Sequence, residues 1–491
     1  MAGARQRAGE GRRQVQRESQ GQSEGGRGAP ARGGVAGPRA SYLVRMAYAA
    51  GFMPLSAAYS AIKTHAQSFA VDVEGHPPAW VGRAFFGASV LVGCLEPVLG
   101  AWSDARAALH GPRARASTLR LAFPVWVGAF AALWAPQTAG ALKAVALAAF
   151  FLAHATVFLN WSALWPTFTH PTDRASVAPL KQLAQAVGMG LGMGGAPALA
   201  GPAWTHAGRL AFAFPCLMAA LLPSILAVDA LHLRRQRQHP SAAAALGSDD
   251  DKGASAPFTL RRFVASARDI LAGSPALRLA LAAQTLNGLA VGCATNAIPL
   301  YARYVQTGAS PSATSRSSAM TLILVGTGML TVPLWTAASR RTGPERAWAA
   351  GCAVLALGFA LAANAATYAS SMACLGVAGI GTGGVFAAQE LSVMAIVDQD
   401  AEGHGGTRRD GLVAGLRAVG GHGGAALQGL LFGAVLHRAG FLPGDTDAQP
   451  DSAHLAIRAL ATVLPAACYA ACVVCVLGVA RDLAAKRTKV A

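Results

Sequence analysis

The longest uncharged stretch of this chain runs from Ala347 to Gln389, 43 residues without an Asp, Glu, Lys or Arg. A helix needs roughly 20 apolar residues to cross the hydrocarbon core of a bilayer, so this stretch is long enough for two spans. In hydrocarbon every backbone N–H and C=O must be paired within the protein, which leaves helices or closed barrels as the only spanning structures. Uncharged blocks of this length favour helices.

Similar blocks recur along the chain and predict about twelve spans. Seven further blocks contain no charged residue, and they are Leu121–Leu142, Ala144–Thr172, Gln182–Gly208, Leu210–Val228, Leu279–Ala302, Ser317–Ser339 and Ala459–Ala480. Three weaker blocks contain a few charges, and they are Tyr42–Phe69, Trp80–Trp102 and Leu412–His437. The pattern predicts an all-α polytopic membrane protein with twelve transmembrane helices. A soluble single domain is excluded, because 53% hydrophobic and only 13% charged residues leave too little polar surface to cover it.

The distribution of positive charge predicts the orientation in the membrane. If the N-terminus is cytosolic, 31 of the 41 Lys and Arg lie in the tails and loops on that side, and only six lie in the opposite loops. By the positive-inside rule, both termini are then cytosolic. The net charge of +18 does not indicate a nucleic-acid partner, because the cations are spread over short loops without aromatic residues between them. The expected partners are the lipid bilayer and a small-molecule solute, and we expect a monomer.

Polar segments divide the chain into two halves of six spans. The composition predicts a disordered basic cytosolic tail over 1–41, an N-terminal half over 42–233, a flexible cytosolic linker over 234–277, a C-terminal half over 278–482 and a short cytosolic tail over 483–491. The N-terminal tail is rich in Gly and Arg and has few large apolar residues, so it cannot bury enough surface to fold.

The end of the second predicted span carries a specific motif. In the stretch Leu95–Arg115, Glu96 directly precedes Pro97, and Gly100 and Asp104 follow. This stretch resembles the second helix and the following loop of the major facilitator superfamily. More narrowly, it is similar to the glycoside-pentoside-hexuronide:cation symporters, the melibiose permease family, whose second helix carries an acid followed by Pro and then Gly.

Three further stretches support the same resemblance, in the right order and spacing, and they are Asn160–Pro166 with Asp173-Arg174, Ile396–Asp398 with Thr407–Leu412, and Gly440–Pro443 with His454–Arg458. The similarity covers roughly residues 42 to 485. It implies the major facilitator fold, in which two six-helix halves rock about a site near the midplane of the membrane.

The resemblance implies a secondary active transporter that moves a small polar, sugar-like solute by alternating access, with a coupling ion and no other cofactor. Two features depart from the family. Val92 stands where cation-coupled members have a second acid, and neither Tyr42–Phe69 nor Ala144–Thr169 contains the acids that hold sugar hydroxyls. We therefore favour H⁺ over Na⁺ as the coupling ion. An amino-acid-like or amphipathic, lipid-like solute is an alternative, and so is a non-transporting receptor or scaffold.

Three residues inside spans are candidates for cation coupling: Glu96, Glu390 and His422. A carboxylate within a membrane is costly and needs a reason to be there. Glu96 is either a protonatable carboxylate or the partner of a cation such as Arg106, and Glu390 is either a coupling acid or a paired one. His422 lies in a glycine-rich run on the eleventh span, where the family often has Lys. It is either a titrating group or a hydrogen-bonded histidine in a packing face.

Six polar or aromatic residues are candidates for substrate binding, and they are Asn160, Trp161, Trp165, Gln284, Asn287 and Asn296. Indole rings stack on sugar faces or ligand cations, and amide side chains orient either. The alternatives are membrane-interface aromatics for the two Trp and interhelical hydrogen bonds for the amides.

Charged residues at the cytosolic ends of both halves predict a cytosolic gate, and they are Asp104, Arg106, Asp398, Arg408, Arg409 and Asp410. The run Gly188–Gly195 has the composition of a nucleotide-binding loop but lacks the following Lys-Ser/Thr, so close helix packing is expected there. We found no catalytic triad or metal-ligand spacing. The sequence therefore predicts neither an enzyme nor a metal site.

Overall fold

The computed structural model of the protein describes residues 42–110, 113–135, 140–168, 171–201, 206–222, 225, 259–306, 312–403, 410–444 and 449–490. Helices dominate these residues, and no strand occurs among them. Twelve of the helices follow the predicted spans, and we label them α1 (42–73), α2 (Pro78–His110), α3 (Arg113–Trp134), α4 (Gly140–Phe168), α5 (171–200), α6 (Leu210–Ala219), α7 (Pro275–Val305), α8 (Ala313–Thr342), α9 (Pro344–Ala363), α10 (Tyr368–Gly403), α11 (Asp410–Arg438) and α12 (451–490).

Short polar motifs set where several of these helices begin. Ser274 accepts a hydrogen bond from the N–H of Leu277 at 3.2 Å, and Pro275 occupies the first helical position of α7, where its missing N–H would have no partner anyway. Ser312 caps α8 in the same way. Between α8 and α9 the chain turns at Gly343, whose φ of 92° favours glycine.

Nine of the described helices are long and apolar enough to cross a membrane: α2, α3, α4 and α7 to α12. The other three are broken or short. A turn at Gly51 interrupts α1, a π-helical turn over Leu191–Gly195 interrupts α5, and α6 is a shorter apolar helix. The structure confirms the predicted all-α membrane class and is consistent with twelve spans.

Helix packing repeats between the two halves. In the N-terminal half, α1 packs on α5, α2 and α3 pack on α4, and α3 packs on α6. In the C-terminal half, α7 packs on α11, α8 and α9 pack on α10, and α9 packs on α12. The halves meet where α2 packs on α11 and where α5 packs on α8. These two contacts are equivalent, because α8 is the counterpart of α2 and α11 is the counterpart of α5. This arrangement is a pair of six-helix repeats, the plan of the major facilitator fold.

Small residues allow the halves to approach closely. A Cβ atom added to Gly82 on α2 would lie 3.0 Å from the Cα of Gly433 on α11, and one added to Gly194 on α5 would lie 2.9 Å from the side chain of Leu322 on α8. Helices within a membrane associate through such small-residue faces. The predicted packing role of the run Gly188–Gly195 is therefore confirmed.

Asp72 joins the two halves at one end of the bundle. It accepts hydrogen bonds from the Arg303 guanidinium, the Tyr304 hydroxyl and, at 3.2 Å, the N–H of Gly444. Asp72 lies in the π-helical turn that ends α1, and Arg303 and Tyr304 lie in the equivalent turn that ends α7. We call these four residues the Asp72 latch and this end of the bundle the Asp72 end. The opposite end is the Arg106 end.

Part of the predicted linker is a helix. Residues Leu260–Gly273 form an amphipathic helix that packs on the start of α7 and on α11, and Ile270 is only 1% exposed. The expectation of a flexible chain is wrong for this part, because apolar residues recur there at helical spacing and give it a face to bury. The following helix, α7, begins at Pro275, three residues before the predicted boundary.

Candidate functional site

Glu96 on α2 and His422 on α11 meet at the seam between the halves. The Nε2 atom of His422 lies 2.8 Å from Oε2 of Glu96, and the two side chains are 17% and 15% exposed. This hydrogen bond can form whichever of the two groups carries the shared proton. An imidazole N–H donates to a carboxylate, and a carboxylic acid O–H donates to a neutral imidazole. The sequence analysis names both residues as coupling candidates but does not predict that they touch.

Glycines bring these two side chains together. A Cβ on Gly93 would lie 2.9 Å from the Cβ of His422, so α11 approaches α2 here only because Gly93 has no side chain. On the other side of α11, a Cβ on Gly288 of α7 would lie 2.8 Å from the carbonyl oxygen of Gly421. Pro97 has no N–H, which leaves the carbonyl of Gly93 without its usual helical donor. The glycine-rich run therefore packs on α7 while His422 points at α2.

The expected pairing of Glu96 with Arg106 is not seen, whereas Glu390 does have a cationic partner. The guanidinium of Arg106 lies 5.2 Å over the ring of Trp102 on the same helix, and Glu96 pairs with His422 instead. Both carboxylate oxygens of Glu390 accept hydrogen bonds from Arg417, at 2.7 and 2.8 Å. Of the two readings of Glu390, the paired acid is the one that this geometry matches.

Two pairs of amide side chains join helices near His422. Gln389 on α10 donates to Oε1 of Gln284 on α7, which lies beside Gly421. Gln428 on α11 donates to Oε1 of Gln67 on α1 at 2.8 Å, so this pair connects the two halves. Gln284 is thus a predicted substrate residue that packs beside Gly421, the residue next to His422.

The remaining predicted substrate residues on α4 make packing contacts. Asn160 accepts a hydrogen bond from Ser103 at 2.7 Å and is buried. Trp161 has no exposed surface, and its ring stacks on Tyr48 with the ring centres 5.4 Å apart. Trp165 lies in α4, but its side chain is outside the described part of the structure. A role in substrate binding remains a prediction for these residues.

Asn287 and Asn296 on α7 also make hydrogen bonds within the protein. The hydroxyl of Tyr469 on α12 donates to Asn287 at 3.1 Å. The amide of Asn296 donates to the carbonyl of Gly292 at 2.9 Å, and its side chain is 1% exposed. Oδ1 of Asn296 is buried and has no hydrogen-bond partner among the described residues. Contact of either asparagine with a solute is likewise a prediction.

The predicted cytosolic gate lies partly outside the described residues. Arg408 and Arg409 are not described, and Asp104 and Asp410 are described only as helical backbone in α2 and α11. Asp398 lies near the end of α10 with an exposed side chain. The gate stays a prediction.

An aromatic wall in the N-terminal half is a feature that the sequence analysis misses. The rings of Tyr59 and His154 are stacked 4.8 Å apart, and the neighbouring rings follow at 6.0–6.2 Å between centres. We define the aromatic wall as Phe52 and Tyr59 on α1 with Phe151, His154 and Phe158 on α4. The signal was available in the sequence, because spacings of seven on α1 and of three and four on α4 place these rings on one face of each helix.

Two lysines cover the aromatic wall. The Nζ of Lys63 lies 5.0 Å from the ring centre of Phe151, and the Nζ of Lys181 lies 4.6 Å from that of Phe52. The helix α4, which contributes three rings to the wall, also packs on α2, which carries Glu96. The wall and the Glu96–His422 pair therefore lie on neighbouring helices.

A separate cavity lies among residues of the N-terminal half. It is lined by Phe69, Trp80 and Leu147 near the Asp72 end, with the ion pair of Glu74 and Lys143 at its edge. Within the described ranges, no three His, Cys, Asp or Glu side chains cluster as a metal ion would require.

Comparison with known proteins places the fold. A family model described as MFS/sugar transport protein matches residues 47–478. The nucleoside transporter NupG superposes with a TM-score of 0.60 at 14% identity, over 88% of this chain and 99% of that one. A structure from work on substrate recognition in proton-dependent oligopeptide transporters gives 0.60 at 16% identity, over 91% and 100%. A bacterial homologue of the human lysosomal transporter Spinster, in an inward-facing and unoccupied conformation, gives 0.61 at 14%, over 90% and 98%. No curated protein matches the chain significantly.

Proposed function

Because the chain belongs to the MFS/sugar transport protein family, we propose that it is a proton-coupled transporter that moves a small polar, sugar-like solute by alternating access. The family makes the protein a transporter of the major facilitator type. The coupling ion, the solute and the transport cycle are the parts that we propose. The arrangement of the site supports the coupling ion and the cycle, and the description of the family supports the solute.

The contact of His422 with Glu96 is the observation that carries the proposal. It joins a group that can hold a proton in one half to a group that can hold a proton in the other, at 2.8 Å. When the halves rock, a contact across the seam must break or change, so proton binding and conformation are linked. A single carboxylate paired with an imidazole suits a proton better than sodium, which prefers several oxygen ligands.

The Asp72 latch supports alternating access. It joins α1 to α7 at one end of the bundle, where the halves are closed in this conformation. We infer from the asymmetry of Lys and Arg that the Asp72 end is the non-cytosolic side. The solute would then reach the Glu96–His422 pair from the Arg106 end in this state, and opening of the latch would expose the site to the opposite side.

Transport assays in proteoliposomes test this proposal. A panel of labelled sugars and related polar solutes is offered first for counterflow and then for accumulation driven by an imposed pH gradient. We expect saturable counterflow and pH-driven accumulation for at least one solute. Glu96→Gln keeps a hydrogen-bonding side chain that cannot exchange a proton, so it should retain counterflow and lose accumulation.

Glu74→Gln is the matched control, because Glu74 pairs with Lys143 of its own half. This variant should accumulate solute as the wild type does. Accumulation by Glu96→Gln with the pH dependence of the wild type would show that Glu96 is structural. An absence of counterflow for every solute would favour the receptor or scaffold alternative.

A further inference from the structure

Lys63 is a cation inside α1 with no acidic partner among the described residues. Its Nζ faces the rings of Phe151 and Tyr59, at 5.0 and 5.8 Å from their centres. A charge within the bilayer is costly, and contact with aromatic rings recovers only part of that cost. The position of Lys63 is therefore suited to an anion that the described residues do not supply.

Other cations of the described spans are paired differently. Three of them donate to a carboxylate, and these pairs are Arg303 with Asp72, Arg417 with Glu390 and Lys143 with Glu74. Arg316 donates to the backbone carbonyl of Ala302, at 3.0 and 3.1 Å. Lys63 and Lys181 differ from these four cations, because the described contacts of their ammonium groups are with aromatic rings.

Lipid headgroups are not within reach of Lys63. It lies ten residues before the end of α1 at Val73, about 15 Å along the helix. A lysine side chain can extend toward the membrane interface only from positions near a helix end. The anion that pairs with Lys63 must therefore enter the space between the helices.

The aromatic wall extends from Lys63 toward the Arg106 end. Lys181 on α5 covers its other end, with Nζ 4.6 Å from the ring centre of Phe52 and 5.9 Å from that of Phe158. Phe52 and Tyr59 are seven residues apart on α1, so the two lysines contact rings about 10 Å apart along the helix.

We propose that Lys63 and the aromatic wall bind an organic anion, with its carboxylate or phosphate group on Lys63 and its planar or apolar part along Tyr59, His154 and Phe158. Lys181 provides a second positive contact nearer the Arg106 end. This inference rests on the proposed transport function and specifies the class of solute. A neutral sugar would leave Lys63 unpaired, whereas an anion satisfies it and uses the flat faces of the rings.

Binding to the purified full-length protein in nanodiscs tests this assignment. The probes are compounds matched except for charge: an aromatic carboxylate with its amide, a sugar phosphate with its sugar, and lysophosphatidic acid with monoacylglycerol. Anionic members should bind, and Lys63→Met should weaken them by about tenfold to a hundredfold, because it keeps the length of the side chain and removes the charge. Lys63→Arg should restore much of the affinity, which excludes a folding defect as the cause.

Lys143→Met is the matched control, because Lys143 is a cation of the same half that is paired with Glu74. Its anion affinity should equal that of the wild type. Equal binding of charged and neutral members, unchanged anion binding by Lys63→Met, or no anion binding at all would overturn the assignment. The two soluble pairs test for a free solute, which we expect to bind. Binding of lysophosphatidic acid alone would indicate a lipid ligand and would also overturn the assignment.

The same panel separates this inference from the transport proposal. Counterflow of a neutral solute with unchanged kinetics in Lys63→Met would leave the transporter intact and remove the anion site. Anion binding that depends on Lys63, without counterflow of any solute, would confirm the site and remove the transport function.

Discussion

At the scale of single residues, the site depends on a side chain that is missing, that of Gly93. A Cβ there would lie 2.9 Å from the Cβ of His422, closer than such atoms pack, so Gly93→Val must push α11 away from α2. Overpacking of this kind costs about 1–3 kcal/mol, which would weaken the Glu96–His422 contact by about fivefold to a hundredfold. We expect Gly93→Val to lose pH-driven accumulation while counterflow continues, measured in proteoliposomes.

Gly87→Val on the same helix is the comparison, because a Cβ at Gly87 meets nothing within 4 Å. It should accumulate solute normally. If the two valine variants behave alike, the spacing of α2 and α11 at Gly93 does not control coupling.

Glu96, His422 and Trp161 show which features of the site can be predicted from sequence. Glu96 and His422 stand out singly, because charged or titrating groups inside apolar spans are rare. Their contact could not be predicted, since no local pattern fixes which residues 326 positions apart will meet. For Trp161, the residue type indicates a role that the structure does not show. Its residue type suggests a ligand contact, but helical spacing alone cannot say whether a side chain faces a cavity or, as here, the rings of α1.

At the scale of helices, uncharged blocks predicted that spans exist but not where they begin. The block Leu121–Leu142 begins eight residues after the start of its helix at Arg113 and runs past the end of that helix at Trp134. The helix can start earlier than the block because arginines in a first turn can bury their stems and keep their charge in water. A span bounded by the nearest charged residue begins at Gln182 and leaves out Lys181. In the structure, α5 begins at Pro171 and contains Lys181. This boundary leaves Lys181 outside its span, whereas Lys63 and the rings of the aromatic wall lie inside predicted spans.

The interface of α2 with α11 supplies a stability prediction. A larger side chain at Gly82 must displace Gly429 and Gly433, whose backbone atoms lie within 3.2 Å of a Cβ at that position. Gly82→Leu should destabilise the protein by about 1–3 kcal/mol and lower its melting temperature in detergent. Gly423→Leu on α11 is the control, because a Cβ at Gly423 meets nothing within 4 Å. Equal melting temperatures for both variants would argue against glycine packing at this interface.

At the scale of the whole molecule, the six-helix repeat predicts a transporter that is closed at the Asp72 end in this state. Asp72→Asn removes the charge that holds Arg303 and should shift the population toward states open at that end. A cysteine at Phe158, on a background without native cysteines, should then react several times faster with an impermeant thiol reagent added from that side. Glu74→Gln should leave the rate unchanged, and an unchanged rate in Asp72→Asn would remove the latch from the cycle.

The orientation of the whole molecule is tested by labelling from outside the cell. Asp451 begins α12 at the Asp72 end and Arg340 lies near the end of α8, and both side chains are exposed. By the positive-inside rule, a cysteine at Asp451 should react with an impermeant reagent in intact cells, and one at Arg340 only after permeabilisation. The reverse pattern would invert the topology.

Proton movement caused by the solute itself tests the central claim most directly. Proteoliposomes without an imposed gradient are given a transported solute, and the external pH is recorded in weak buffer. The wild type should take up protons in fixed ratio to the solute, and Glu96→Gln should exchange solute with no change in pH. Solute uptake by the wild type without proton movement, or proton movement by Glu96→Gln equal to that of the wild type, would contradict the assignment of coupling to the Glu96–His422 pair.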